Sequence, residues 1–156
     1  ITMENIIQRA VLKQLESKVL PNKVLLLLGA RRVGKTELIK KYLENIPKED
    51  YLQLNGEDID DANLLKQRTV KNYSRLLMNV KLLVIDEAQN IPEIGLVLKL
   101  IVDSIEGIKI IATGSSVFDL SNKLGEPLVG RKNTIYLFPL AQMEFSRHEN
   151  YKETTQ

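Results

Sequence analysis

Residues 29–36, called here the phosphate loop, read GARRVGKT and fit the pattern G-x-x-x-x-G-K-[ST] at every position. The two glycines permit a sharp turn out of a strand that surrounds a phosphate with N–H groups, and a following helix directs its positive end at the anion. The Lys35 ammonium suits the β- and γ-phosphates, and the Thr36 hydroxyl suits Mg²⁺. The predicted binding residues for a nucleoside triphosphate are Gly29, Ala30, Arg31, Arg32, Val33, Gly34, Lys35 and Thr36.

Two adjacent acids follow an aliphatic run in the segment LLVIDEAQ, residues 82–89. A buried strand there would deliver both acids to the carboxyl end of a sheet, which is where open α/β sheets bind ligands. Asp86 then suits Mg²⁺, directly or through water, and Glu87 suits a general base for the attacking water. The pair favours hydrolysis of the nucleotide over phosphoryl transfer to a hydroxyl substrate.

The segment KIIATGSS, residues 109–116, is another apolar run, and it ends in small hydroxyl residues. If this strand lies between the strand before the phosphate loop and the strand before Asp86, its end lies close to the γ-phosphate. Thr113 or Ser115 could then orient the attacking water. Alternatively, Ser115 or Ser116 caps the next helix. One hydroxyl could do both, so the two interpretations stay open.

Three arginines are candidates for contacts with phosphate. Arg31 and Arg32 occupy variable positions of the phosphate loop and could approach the phosphates or a partner molecule, although solvated side chains are the favoured interpretation. Arg131 follows Gly130 and could stabilise transition-state charge in its own subunit or in a neighbouring one. The alternative for Arg131 is a surface arginine with no part in the chemistry.

Short apolar runs alternate with longer stretches of helical spacing along the chain. Strands separated by helix-length connections predict an α/β fold with a parallel sheet and right-handed crossovers. Pro92 is expected near the first turn of its helix, where its missing N–H does no harm. The strands are predicted at 24–28, 51–54, 82–85, 109–113 and 134–138, the helices at 3–18, 35–45, 61–79 (with some interruption) and 92–105, and an acidic loop at 57–61.

Composition excludes several classes of protein. The 156 residues suffice for one domain, and the absence of cysteine excludes disulfides and thiolate metal sites. One histidine excludes a multi-histidine metal centre, and a net charge of +2 gives no broad basic footprint, so nucleic acid is not indicated as a partner. No apolar run approaches the roughly 20 residues of a membrane helix. The charged opening stretch does not read as a signal peptide, and a cytoplasmic setting is expected.

Together these segments resemble the AAA+ class of P-loop ATPases. The closest resemblance is to prokaryotic AAA-domain proteins that usually carry a second, C-terminal domain of uncharacterised role. The resemblance implies a three-layer α/β/α sandwich with a five-stranded parallel sheet in the order 5-1-4-3-2. It also implies ATP and Mg²⁺ as cofactors, Asp86 as a magnesium ligand, Glu87 as the base and a sensor role for Thr113 or Ser115. The segments that carry it are GARRVGKT, YLQLN at 51–55, LLVIDEAQNIP at 82–92, IIATGSS at 110–116 and GRKNTIYLFPLAQMEF at 130–145.

The predicted domain organisation is an AAA+ core over residues 1–145, in which 1–20 form a leading helix. Residues 146–156 are a polar tail that is expected to begin a truncated lid or C-terminal region. The opening residue is Ile1 and not Met, which suggests an excerpt of a longer chain or trimmed ends. A protein partner would then bind through the missing C-terminal region, and assembly into a homo-oligomer stays open.

Four functions are compatible with a phosphate loop. The favoured one is an ATPase domain whose nucleotide cycle drives a conformational change or assembly. A second is an ATP-binding regulatory module with little hydrolysis alone, and a third is the motor part of a nucleic-acid-associated ATPase, which the string DEAQ invites. The sequence between Lys35 and Asp86 is short for a helicase of that kind. A GTPase is disfavoured because residues 86–89 contain no glycine and residues 122–125 lack the aspartate that reads guanine.

Overall fold

The computed structural model describes residues 2–29, 34–115 and 127–137. Short 3₁₀ turns at Lys48–Asp50 and Ala88–Asn90 connect some of the elements within these ranges. The strands are β1 Lys23–Gly29, β2 Tyr51–Asn55, β3 Leu82–Asp86, β4 Lys109–Gly114 and β5 Lys132–Leu137. The helices are α1 Met3–Lys18, α2 Lys35–Leu43, α3 Ile59–Lys66, α4 Val70–Leu76 and α5 Ile94–Ser104.

The five strands form one parallel sheet in the order β2-β3-β4-β1-β5. This confirms the predicted order 5-1-4-3-2, which is the same arrangement viewed from the other edge. In the register, Leu27 pairs with Thr113 and Ile85 pairs with Ala112. The carboxyl ends of β1, β3 and β4 therefore meet at one edge of the sheet, and β4 lies between the other two.

Helices cover both faces of the sheet, as the three-layer prediction requires. Leu26 and Leu28 pack on one face with buried residues of α3, α4 and α5, and Leu25 and Leu27 pack on the other with buried residues of α1 and α2. All four leucines are at most 1% exposed. Burial of each such side chain contributes roughly 1.5–3 kcal/mol. An aliphatic run without alternation is thus what a strand with two covered faces needs.

The predicted acidic loop at 57–61 is wrong in its second half. The Asp58 carboxylate accepts hydrogen bonds from the N–H groups of Asp60 and Asp61 and caps α3, which begins at Ile59. Acidic residues in a first helical turn also interact favourably with the helix dipole. The same residue type that favours a loop therefore begins a helix here.

Two predicted helices have different bounds in the structure. The helical stretch predicted at 61–79 is interrupted before Thr69, whose hydroxyl caps α4 by accepting from the N–H of Asn72. Pro92 lies outside α5, because the N-cap is Glu93 in a left-handed conformation with φ 53°. Since a cap has non-helical backbone, the helix begins two residues after the proline. No helix among the described residues is long and apolar enough to cross a membrane.

Candidate nucleotide-binding site

Lys35 begins α2 and directs its side chain to the carboxyl ends of β1 and β4. Its ammonium donates to the carbonyl oxygens of Gly29 at 2.8 Å and of Gly114 at 2.5 Å, and the residue is only 7% exposed. Gly34 precedes it with φ 86°, a left-handed conformation that glycine adopts without steric cost. The turn thus aligns the first N–H groups of α2 and the Lys35 ammonium at one edge of the sheet. Residues 30–33 of the phosphate loop, which include Arg31 and Arg32, lie outside the described residues.

Asp86 ends β3, and both oxygens of its carboxylate accept a hydrogen bond from a neutral donor. Oδ1 accepts from the Thr113 hydroxyl at 3.1 Å, and Oδ2 accepts from the Gln53 amide at 3.2 Å. Gln53 and the exposed hydroxyl residue Thr36 line the same cleft of about 410 Å³ beside α2. Neutral donors orient a carboxylate without cancelling its charge. These two contacts therefore fix the orientation of the Asp86 side chain on the side of the sheet where α2 begins.

Glu87 leaves the strand in a strained turn. Its φ of 50° lies in the left-handed region, and its N–H donates to the Thr113 hydroxyl at 3.2 Å. Thr113 is 1% exposed and thus connects the two acids: it accepts from the Glu87 backbone and gives its one hydroxyl proton to Asp86. A non-glycine residue in this region has a strained backbone, and the surrounding contacts must stabilise that conformation.

Gln89 connects Glu87 to the end of β4. Its side-chain nitrogen Nε2 donates to Oε2 of Glu87 at 2.7 Å and to the Ser115 hydroxyl at 3.2 Å. Sequence reasoning predicted functional roles for Glu87 and Ser115 but none for Gln89, which is the last residue of the string DEAQ. Its position two residues after the predicted base is the signal that could have found it.

Gly56 is a further residue that sequence reasoning missed. Its N–H donates to the carbonyl oxygen of Asp86 at 2.7 Å. A Cβ built on Gly56 would lie 2.2 Å from the Glu87 carbonyl oxygen, so the chain after β2 touches the strained turn directly. A side chain of any size would push Glu87 out of place. A glycine immediately after a strand that neighbours the acidic pair is the available sequence signal.

Replacing Gly56 with alanine should displace Glu87 and lower both stability and turnover. Overpacking costs about 1–3 kcal/mol of unfolding free energy, and misplacement of a reacting group by about 1 Å lowers a rate by up to about 100-fold. Urea unfolding and phosphate release measure the two effects. Gly107→Ala is the control, because its added Cβ meets nothing within 4 Å and its φ of +79° costs only backbone strain. Normal turnover per folded Gly56→Ala molecule would contradict the expectation.

Arg131 lies at the amino end of the parallel strands, whereas Lys35 lies at their carboxyl end. Its carbonyl oxygen accepts from the N–H of Val24 at the start of β1, and its Nε donates to Asp103 at 2.7 Å. The parallel register pairs Val24 with Lys132 and Gly29 with Leu137, so the two edges are roughly 17 Å apart at about 3.3 Å per residue. Of the alternatives stated for Arg131, this placement disfavours contact with a phosphate of its own subunit and leaves action on a neighbouring subunit or a surface role. A residue just before a parallel strand lies at the amino edge, and the phosphate loop follows its strand at the carboxyl edge.

The order of the parallel strands and the sequence of the phosphate loop define a P-loop NTPase fold of the AAA+ type. Residues 21–146 match the family described as AAA domain. The match spans more than half of the chain, and the protein belongs to this family.

Similar proteins are longer than this chain. An uncharacterized protein of Methanocaldococcus jannaschii is 29% identical over 150 residues, which are 92% of this chain and 32% of the relative. A crystal structure of a DNA replication initiation factor has a TM-score of 0.62 at 17% identity, and AMPPCP-bound DnaA from Aquifex aeolicus has a TM-score of 0.60 at 16% identity. Each alignment covers 88% of this chain and 47% of the solved chain. These similarities show a shared fold, and the chain spans about a third of the length of its curated relative.

Proposed function

We propose that this domain binds ATP with Mg²⁺ and hydrolyses it to drive a conformational or assembly change in a larger protein. The observation that carries the proposal is the meeting of Lys35, Asp86, Glu87 and Ser115 at one edge of the sheet, where β1, β3 and β4 end together. The similar structure of DnaA contains bound AMPPCP, an analogue of ATP, which supports the choice of nucleotide.

The chemistry of the donor set fits Mg²⁺. Asp86 offers a carboxylate and Thr36 offers a hydroxyl, and both are hard oxygen ligands. Among the described residues, no group of three or more His, Cys, Asp or Glu side chains could hold a metal alone. Mg²⁺ does not need such a group, because it usually binds to one or two carboxylates together with phosphate oxygens of the substrate. When bound, the ion would neutralise charge on the β- and γ-phosphates.

Other residues of this chain bind the phosphates, position the acidic pair and accept the proton of water. Lys35 and the N–H groups at the start of α2 bind the phosphates, and Thr113 holds Asp86 and the Glu87 backbone in place. Glu87 accepts a proton from the attacking water as general base. Because Thr113 gives its proton to Asp86, Ser115 is the better hydroxyl for orienting that water.

The test is nucleotide binding and phosphate release by the purified protein. We expect calorimetry to detect ATP binding, and phosphate release to require Mg²⁺ and to stop when EDTA removes the metal. GTP competition at equal concentration should displace little ATP. Absence of binding at millimolar ATP would overturn the proposal.

An ATP-binding module with little hydrolysis alone is the second candidate, and the position of Arg131 favours it. An arginine that cannot reach its own phosphate acts on a nucleotide only across a contact between subunits. Its side chain is 40% exposed and ion-paired with Asp103. Turnover per molecule that rises with protein concentration would indicate such a contact, and turnover that stays constant would indicate a self-sufficient site.

A further inference from the structure

We propose that Gln89 is a positioning residue that orients the Glu87 carboxylate by fixing it to the end of β4. The inference rests on the proposed hydrolytic function, in which Glu87 is the base. It assigns a role to a residue whose hydrogen bonds reach the predicted base and the end of β4.

The contacts of the Gln89 amide define this role. One nitrogen carries two protons, and each has an acceptor within hydrogen-bond distance: Oε2 of Glu87 at 2.7 Å and Oγ of Ser115 at 3.2 Å. The shorter bond has a charged acceptor, which makes it the stronger of the two. The second bond anchors the amide to β4, so the carboxylate is held relative to the sheet as well as to its own loop.

The turn that carries Gln89 is itself fixed. Ala88, at its start, is fully buried, and the N–H groups of Asn90 and Ile91 donate to the carbonyl oxygens of Glu87 and Ala88 at 3.1 Å each. The amide therefore projects from a rigid support. A donor on a mobile segment could not restrict the carboxylate, because the donor would move with it.

Glu87 needs such a partner because its backbone contacts do not restrain its side chain. Thr113 and Gly56 fix the peptide groups around Glu87, yet three side-chain torsions separate that backbone from the carboxylate. Each unrestrained torsion lets the base leave the geometry in which it can reach a water molecule. Proton transfer requires hydrogen-bond distance in the reacting complex, so a populated wrong rotamer lowers the rate directly.

The test replaces Gln89 with methionine, which preserves length and volume but removes the donor. We expect kcat for ATP to fall about tenfold, while KM and the Kd for ATP stay within about twofold, because the lost contact acts on the base and not on the nucleotide. Gln89→Glu is the second variant, since it keeps polarity and replaces the donor with a carboxylate. Asn90→Ala removes an exposed amide from the same turn and should leave all three quantities unchanged.

A double-mutant cycle with Glu87→Gln distinguishes positioning from general destabilisation. If Gln89 acts through Glu87, Gln89→Met should cause no further loss of turnover once Glu87 is glutamine. Thermal unfolding of each variant supplies the stability readout. A purely structural role would lower the midpoint and would add its effect in both backgrounds.

The outcomes separate this inference from the proposed function. Wild-type protein that binds ATP but hydrolyses none, or that binds none, overturns the hydrolytic proposal and the role of Gln89 with it. Wild-type hydrolysis that Glu87→Gln abolishes, together with full turnover by both Gln89 variants, overturns the positioning role alone. Additive losses in the cycle also overturn it. A selective fall in kcat that vanishes in the Glu87→Gln background supports it.

Discussion

Replacing Lys35 with methionine is expected to weaken ATP binding at least about 100-fold, which corresponds to about 2.7 kcal/mol. The ammonium is buried against the carbonyl oxygens of Gly29 and Gly114, at the point where β1 and β4 end beside each other. A phosphate oxygen placed there would gain a charge-assisted hydrogen bond in a partly desolvated site. Methionine fills the same space and offers no charge. Calorimetric titration with Mg²⁺–ATP measures the loss.

The methionine variant should remain folded without nucleotide. A cation in the first turn of α2 lies at the positive end of the helix dipole, which disfavours it, and its burial carries a desolvation cost. The hydrogen bonds to the two carbonyl oxygens offset part of this electrostatic cost, and an anionic ligand would offset more of it. Methionine removes both the cost and these hydrogen bonds, so we expect the unfolding midpoint of the ligand-free variant to stay close to that of the wild type.

Lys40 provides the matched control for this prediction. It lies on the same helix and is exposed, so Lys40→Met removes one positive charge while Lys35 keeps its carbonyl contacts. Its effect on ATP affinity should stay within about threefold, the size of a screened surface charge effect. Tight ATP binding by Lys35→Met would disprove the assignment of the phosphate site.

Glu87→Gln is expected to lower turnover at least about 100-fold, because an amide cannot accept the proton of the attacking water. General-base catalysis contributes about 100- to 10,000-fold in typical enzymes. The substitution is isosteric, and the amide oxygen of glutamine can still accept from Gln89. ATP affinity should therefore change by no more than a few fold. Phosphate release at saturating ATP measures turnover, and equilibrium binding measures ATP affinity.

Glu93 is the control for the loss of a carboxylate. It is another glutamate with a left-handed backbone, at φ 53° compared with 50° for Glu87, and it pairs on the surface with Arg68 at 2.6 Å. Glu93→Gln should leave turnover unchanged, since an exposed ion pair contributes about 0–1 kcal/mol to stability and nothing to the site. Unchanged turnover by Glu87→Gln would remove Glu87 from the role of base and leave ATP binding intact.

Local sequence patterns predicted the elements of this fold well. Aliphatic runs predicted the strands, because a strand covered on both faces needs apolar side chains at every position, and the structure confirms strands at all five places. The resemblance to AAA+ proteins added the order of those strands. The errors lie at the ends of elements: Asp58 caps a helix where a loop was predicted, and Pro92 precedes α5 instead of beginning its first turn.

The sequence alone determined which chemical groups this protein possesses: a phosphate loop, an acidic pair after an aliphatic run, and hydroxyl groups after another. The types and spacing of these residues are local properties of the chain, so motifs and hydrophobic periodicity reveal them. Only the tertiary structure decided which groups meet. It joined Gln89 to Ser115 and Gly56 to Glu87, and it placed Arg131 far from Lys35. Contacts of this kind depend on strand order and register, which bring together residues far apart in the chain and separate others that a linear motif suggests are partners.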